Sequence, residues 1–285
     1  MPQWVMHSAR STLAAPLCAT CGTQYAPSQE PPHACVICAD ERQWVPESGQ
    51  PWTSLEWLRA RYENTWTRLE PHLYAIRTEP SFAIGQRALL LRSPGGNVLW
   101  DCIALLDDTT IDLVQALGGL HGIAISHPHY YTTMIEWAHA FDVPVHLHAD
   151  DREWVVRHDP AIRFWEGETL PLHDDITLIR TGGHFEGATV LHWPAGAEGR
   201  GALLSGDVIA VVQDRRHVTF MRSFPNYIPL AASSVRRIAG AVEPYPFENV
   251  WGAFAGREIL GGGSEGVQRS AERYIRWLGD DSGTM

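Results

Sequence analysis

The 285-residue chain lacks any apolar run approaching the ~18 residues that a membrane-crossing helix needs. Its N-terminus, MPQWVMHSARSTLAAPLCATC, lacks a basic start followed by a continuous apolar core. No secretory signal is read there, and a cytoplasmic protein is expected. An excess of positive charge is also missing: 22 Lys and Arg stand against 33 Asp and Glu, a formal charge of −11. Such a chain has no electrostatic footprint for a phosphate backbone, so nucleic acid is not expected as a partner. The missing apolar runs argue likewise against a membrane. Cysteine is scarce beyond residue 38: only Cys102 remains, in an apolar strand, where a buried small side chain is expected. With 45% hydrophobic and 19% charged residues, the composition is that of a folded globular chain. Its length suits one large domain with a small module.

What is present begins with four cysteines in two pairs, CATC (Cys18, Cys21) and CVIC (Cys35, Cys38), with 13 residues between them. Each C-x-x-C lets one tight turn offer two thiolates to one ion, and two such turns make a closed tetrahedral site for structural zinc. Disulfides fit poorly in a chain without an export signal. A redox C-x-x-C opens a helix beside a strand, and neither pair has that setting. The expectation is a zinc ribbon over residues 11–48, serving stability or contact with a protein partner. About 40 residues bury too little core to fold without such a staple.

The polar, Pro/Gly-containing VPESGQPW reads as a linker. In TSLEWLRARYENTWTRL, apolar or aromatic residues recur at 55, 58, 62, 66 and 69, and Thr53 with Glu56 makes a capping-box pattern. This spacing predicts one amphipathic helix. From Tyr74 the texture changes to short apolar strands mixed with helices such as TTMIEWAHAF, PLAASSVRRIAGAV and EGVQRSAERYIRWL. Sheets covered by helices follow, an α/β layered domain over residues 52–285.

Three apolar strands end in metal-ligating residues. GIAIS leads to His127 and His129, ITLIRTGG to His184, and GALLSG to Asp207. Two residues apart in extended chain, His127 and His129 project to one side. Gly182 and Gly183 free the backbone to bring His184 close. Three imidazoles and a carboxylate with one position left for water describe a catalytic zinc rather than a structural one. His72, His139, His158 and His192 have no such company and read as ordinary core or surface residues.

These motifs carry a resemblance. SHPH, GGHFEG and LLSGD, in this order, resemble the successive ligand motifs of the metallo-β-lactamase superfamily, and LLLRSPGGNVLWDC resembles its opening hairpin. The match runs from about Tyr74 to the C-terminus. The resemblance implies an αββα sandwich and hydrolysis by a metal-bound hydroxide, with Asp101 steadying a ligand histidine. It also exposes departures. The family pattern is H-x-H-x-D-H, but Tyr131 and Thr132 occupy the D and final H positions. No histidine follows His217, so the family's late histidine is missing too. The second metal thus keeps only Asp207, and one ion at His127, His129 and His184 is expected.

Other residues nearby are of types that could compensate. His148, in the second H-x-H with His146, ends the strand after the metal loop and is a candidate for the same cleft. Tyr130 or Tyr131 is a candidate donor to a developing oxyanion, Glu186 a candidate base, and Arg215, Arg216 and Arg222 candidate clamps for a carboxylate or phosphate. The expected function is a mononuclear zinc hydrolase of a small ester, thioester, lactone or related substrate, with Asp207, Tyr131 and His148 as catalytic residues. Imidazole suits several metals, so zinc is the expectation at the histidines by class rather than by selectivity. The competing expectation is a catalytically degenerate binding or scaffold protein.

Overall fold

Alternation along the central strands sorts their side chains between two faces. Leu89 and Leu91 point one way and Ala88 and Leu90 the other; Val98 and Trp100 oppose Leu99. Strands buried on both faces read as continuous apolar runs, as these do. The computed structural model describes residues 14–279. The first three residues of the expected ribbon and residues 280–285 lie outside the described residues.

A seven-stranded sheet runs in the order Glu63–Glu70, Leu73–Glu79, Ala88–Leu91, Val98–Trp100, Gly122–Ala124, Val145–His148, Ile162–Trp165. Its first four strands are antiparallel and its last four parallel. A six-stranded sheet runs Thr169–Pro171, Thr177–Arg180, Thr189–Trp193, Ala202–Gly206, Asn249–Gly252, Glu258–Leu260. The facing sides share one core, in which Leu89, Trp100 and Ala124 meet Leu191, Leu204 and Trp251. The outer side of the first sheet packs on the helices Asp108–Ala116 and Met134–Phe141 through Val114, Ile135 and Trp137. The outer side of the second packs on Ala232–Val242 and Gly263–Leu278 through Val235, Ile238 and Val267. The layers are therefore αββα, as the resemblance implied. Each fully buried Leu or Val in them contributes roughly 1.5–3 kcal/mol. Among the described residues, no helix is long and apolar enough to cross a membrane.

The helix expected to run through residue 69 is a correction. It covers only Leu55–Arg59, and its N-cap is Ser54, whose Oγ accepts from the Trp57 amide at 3.2 Å. Residues beyond it form the edge strand Glu63–Glu70, paired along its length with Leu73–Glu79. Thr65 and Thr67 are β-branched and favour the pleated backbone, and sheet pairing overrides the helical spacing there. The strand Ile162–Trp165, which closes the first sheet, and Glu258–Leu260, which closes the second, are too short and mixed in polarity to stand out in the sequence.

The cysteine segment is tied to the chain that follows it, because Leu17–Cys18 pairs antiparallel with Trp52–Thr53. It is also tied to the layers. Leu17 packs with Leu55, Leu58 and Leu105, and the Gln24 amide donates to the Thr132 carbonyl at 3.0 Å.

Candidate metal centre

Strand ends set the site. After Gly122–Ala124 the chain turns through a short 3₁₀ segment, Pro128–Tyr130, with His127 extended just before it. Pro128 supplies the fixed φ and needs no donor at this first position. From the second sheet, Gly182 and Gly183 adopt φ of +65° and +90° ahead of His184. A Cβ on Gly183 would come within 2.7 Å of Ile238, so the loop reaches its place only with glycine there. Asp207 follows directly on Ala202–Gly206.

His127, His129 and His184 are all buried, and their ligand atoms lie within 4.8 Å of one another. His184 Nδ1 lies 2.8 Å from the Met221 carbonyl, to which it donates, and His184 Nε2 stands 3.1 Å from His129 Nδ1. The first contact assigns the proton to Nδ1 and turns the Nε2 lone pair toward the cluster. Asp207 Oδ1 lies 3.3 Å from His127 Nε2. Neither of these last two atoms has a hydrogen-bond partner among the described residues. Two ligands about 2.0–2.1 Å from one tetrahedral ion stand about 3.3–3.4 Å apart, close to these separations. The orphaned atoms, buried in a low dielectric, have the chemistry of a cation site.

Electrostatics agree. Burial, followed by the neighbouring histidines, holds His127 and His129 well below the ordinary imidazole pKa, and burial lowers His184 as well. Neutral imidazole is the ligating form. Burial also lifts Asp207, so a nearby cation would stabilise its charged form.

Behind His127 lies a relay. Its Nδ1 is 2.9 Å from Ser126 Oγ, and the Ser126 amide donates to Asp101 Oδ1 at 2.7 Å. Asp101 thus acts on the histidine through Ser126 rather than touching it, and burial lifts its carboxyl to about 7. The Thr189 amide donates to the Ser126 carbonyl at 2.9 Å, stitching the two sheets together at this point.

A cavity of about 380 Å³ opens on the cluster, with His129, His184 and Asp207 in its wall. Val211, Phe224 and Phe254 supply apolar surface, and Arg42 and Arg257 positive charge. Sequence reasoning missed Arg42, Ser126 and Phe185, whose ring lies 4.9–5.6 Å from all three imidazoles. Ser126 was legible only as the neighbour of His127. Arg42 is 85 positions before His127, and no local pattern links them.

The remaining candidates fall elsewhere. His148 is not brought to the cluster. Its Nε2 lies 3.0 Å from the Gly167 carbonyl and its Nδ1 accepts from the Asp150 amide at 3.2 Å, so both nitrogens are engaged at another strand end. Tyr131 is buried in the helix-covered core and does not line the cavity. Tyr130 instead lies against His127, ring centroids 4.5 Å apart, with its phenol beside Asp207. Glu186 and Arg216 are exposed, Arg215 pairs with Glu258, and Arg222 pairs with Glu41.

A second group meets in the cysteine segment. Cys18, Cys21, Cys35 and Cys38 are buried and free of disulfides. Cys18 and Cys38 sulfurs are 3.6 Å apart, as are those of Cys21 and Cys35. Thiolates about 2.3 Å from one tetrahedral ion stand about 3.8 Å apart. Hydrogen bonds from Cys21, Cys35 and Cys38 pull the Cys18 thiol down, while burial pushes Cys21 up. Four buried sulfurs ionise together only around a cation, so this group too fits a metal ion.

No family model matches the chain. It is 50% identical over 267 residues to the uncharacterized protein YmaE of Bacillus subtilis (strain 168), covering 93% of this chain and 97% of that protein. Among solved structures, VMB-1 aligns with a TM-score of 0.58 at 12% identity, over 76% of this chain and 99% of that one. The DIM-1 metallo-β-lactamase aligns with a TM-score of 0.56 at 16% identity, over 74% and 98%. A B3 metallo-β-lactamase described as having an active-site glutamic acid aligns at 0.51 and 20% identity, over 75% and 88%. These identities speak for the fold, the relative for the lineage: the chain belongs to the family of YmaE, and that family has the metallo-β-lactamase fold.

Proposed function

We propose that this protein is a metal-dependent hydrolase that uses one zinc ion at His127, His129 and His184. Its substrate is a small ester, thioester, lactone or related acyl compound. A second zinc, held by the four cysteines, is structural. The observation that carries the reading is the buried histidine cluster, with His127 Nε2 and Asp207 Oδ1 left without a partner among the described residues, beside a cavity large enough for a small substrate. A divalent ion held there supplies Lewis acidity, polarising a carbonyl and acidifying a water.

The chain's own residues divide the remaining tasks. The three imidazoles bind, with the Met221 carbonyl holding the ring of His184 and Ser126 that of His127. Asp207, lifted by burial and 3.3 Å from His127 Nε2, is placed to complete the ligand set or to take a proton from the attacking water. Phe185, Val211 and Phe254 exclude bulk water and strengthen every charge interaction inside.

A second reading is a binding or scaffold protein, favoured by Tyr131 and Thr132 standing where the resemblance puts ligands for a second ion. Turnover separates the two. Zinc-loaded protein is assayed against aryl esters, thioesters and lactones. Metal-dependent turnover abolished by His184→Ala supports the hydrolase; none on any class supports the scaffold.

A further inference from the structure

Arg42 lies four residues beyond Cys38, in the segment expected to do structural work, yet its side chain lines the cavity with His129, His184 and Asp207. Its guanidinium lies 4.2 Å from the centre of the Phe185 ring and 5.3 Å from that of Trp154. The residue is only 6% exposed, and its Nε is buried with no hydrogen-bond partner among the described residues. Among the described residues its guanidinium makes one ion pair, Nη1 to Asp40 at 3.1 Å. The backbone around it is clamped. The Arg42 carbonyl accepts from Ser223 Oγ, and Asn226 Nδ2 donates to the carbonyls of Glu41 and Gln43. The chain contains no lysine, so a permanently charged side chain offered to a ligand is a guanidinium. A buried, held, under-partnered guanidinium on an aromatic ring is a preorganised fork for a planar anion.

We infer that Arg42 is a specificity-determining residue: it receives a carboxylate of the substrate, whose apolar body rests on Phe224 and Phe254 while its acyl group meets the histidine cluster. The inference rests on the hydrolase reading and narrows its substrate class to acyl compounds bearing a carboxylate. It also gives the cysteine segment a part in binding, since the fold of residues 18–38 sets where Arg42 emerges.

The test uses the zinc-loaded full chain and two matched probes, phenylacetate and neutral phenylacetamide, titrated calorimetrically. Phenylacetate is expected to bind about tenfold tighter than the amide, and Arg42→Gln to remove that preference while retaining the zinc of the four-cysteine site. Arg42→Met keeps the stem on Phe185 without the charge and is expected to behave the same way, which covers the case in which the glutamine variant misfolds. Equal binding of both probes by the unaltered protein overturns the inference. So does a preference that survives in Arg42→Met, or one lost only in Arg257→Gln. Binding is read without turnover, so the two readings fail separately. A carboxylate preference that depends on Arg42 in a protein inert toward every ester counts against hydrolysis and supports the anion site.

Discussion

His129 Nδ1 and His184 Nε2 face each other at 3.1 Å, while His184 Nδ1 is engaged by the Met221 carbonyl behind it. Two ring nitrogens brought together inside a dry cluster repel unless a proton or a cation lies between them. Burial keeps both rings neutral, so either a single shared N–H or a cation can fill the gap. His127 Nε2 and Asp207 Oδ1, 3.3 Å apart in the same cluster and without a hydrogen-bond partner among the described residues, favour the cation, and several outcomes follow from what surrounds it.

Ser126 carries the link between Asp101 and His127. In Ser126→Ala the imidazole loses the partner that fixes its tautomer, although the backbone amide still serves Asp101. Metal affinity at the histidine site is expected to fall roughly 10–100-fold, read by competition with a chromophoric chelator. The four-cysteine metal should be retained.

Gly206 adopts φ of +56°, and a Cβ there would lie 2.8 Å from Ser126 Oγ. Gly206→Ala combines left-handed strain with a clash against a buried side chain already engaged by His127 Nδ1. A loss of about 1–3 kcal/mol is expected from the urea midpoint. The same change at Gly199, where nothing lies within 4 Å, should cost less despite its φ of +84°.

Asp151 is 2% exposed, and its Oδ1 accepts from the Gly187 amide at 2.7 Å. Burial lifts its carboxyl from 3.8 to about 7. A folded pKa above the unfolded one means that the folded state holds its proton longer. The stabilisation is full below pH 3.8 and is lost as pH rises through about 7. Asp151→Asn retains the acceptor for Gly187 and cannot ionise. The variant is expected to gain stability relative to the parent across that window, measured by denaturant unfolding at pH 4.5 and about 8. An unchanged difference between the two pH values would contradict a buried, proton-holding Asp151.

Much of the fold was legible because its central strands are buried on both faces: GIAI and GALL are unbroken apolar runs of the kind a covered sheet accommodates. The ligands were legible because each stands at the end of a strand: Asp207 directly after it, His127 after two intervening residues, and His184 after residues 181–183. What failed was whatever depended on pairing across the chain. Glu63–Glu70 carried a helical spacing, and only Leu73–Glu79 beside it makes it a strand. His148 ends a strand as His127 does, but its ring turns to Gly167, and no one-dimensional pattern records that turn. Arg42 enters the cavity from a segment whose local signal is entirely that of its cysteines.

The central claim is one ion at the histidines and one at the cysteines. Metal analysis of purified protein, alongside His127→Ala/His129→Ala, tests it most directly. The parent is expected to hold two metal ions per chain and the double variant one, with the remaining ion lost when Cys18 and Cys38 are also replaced. Two ions retained in the double histidine variant would contradict the site assigned here.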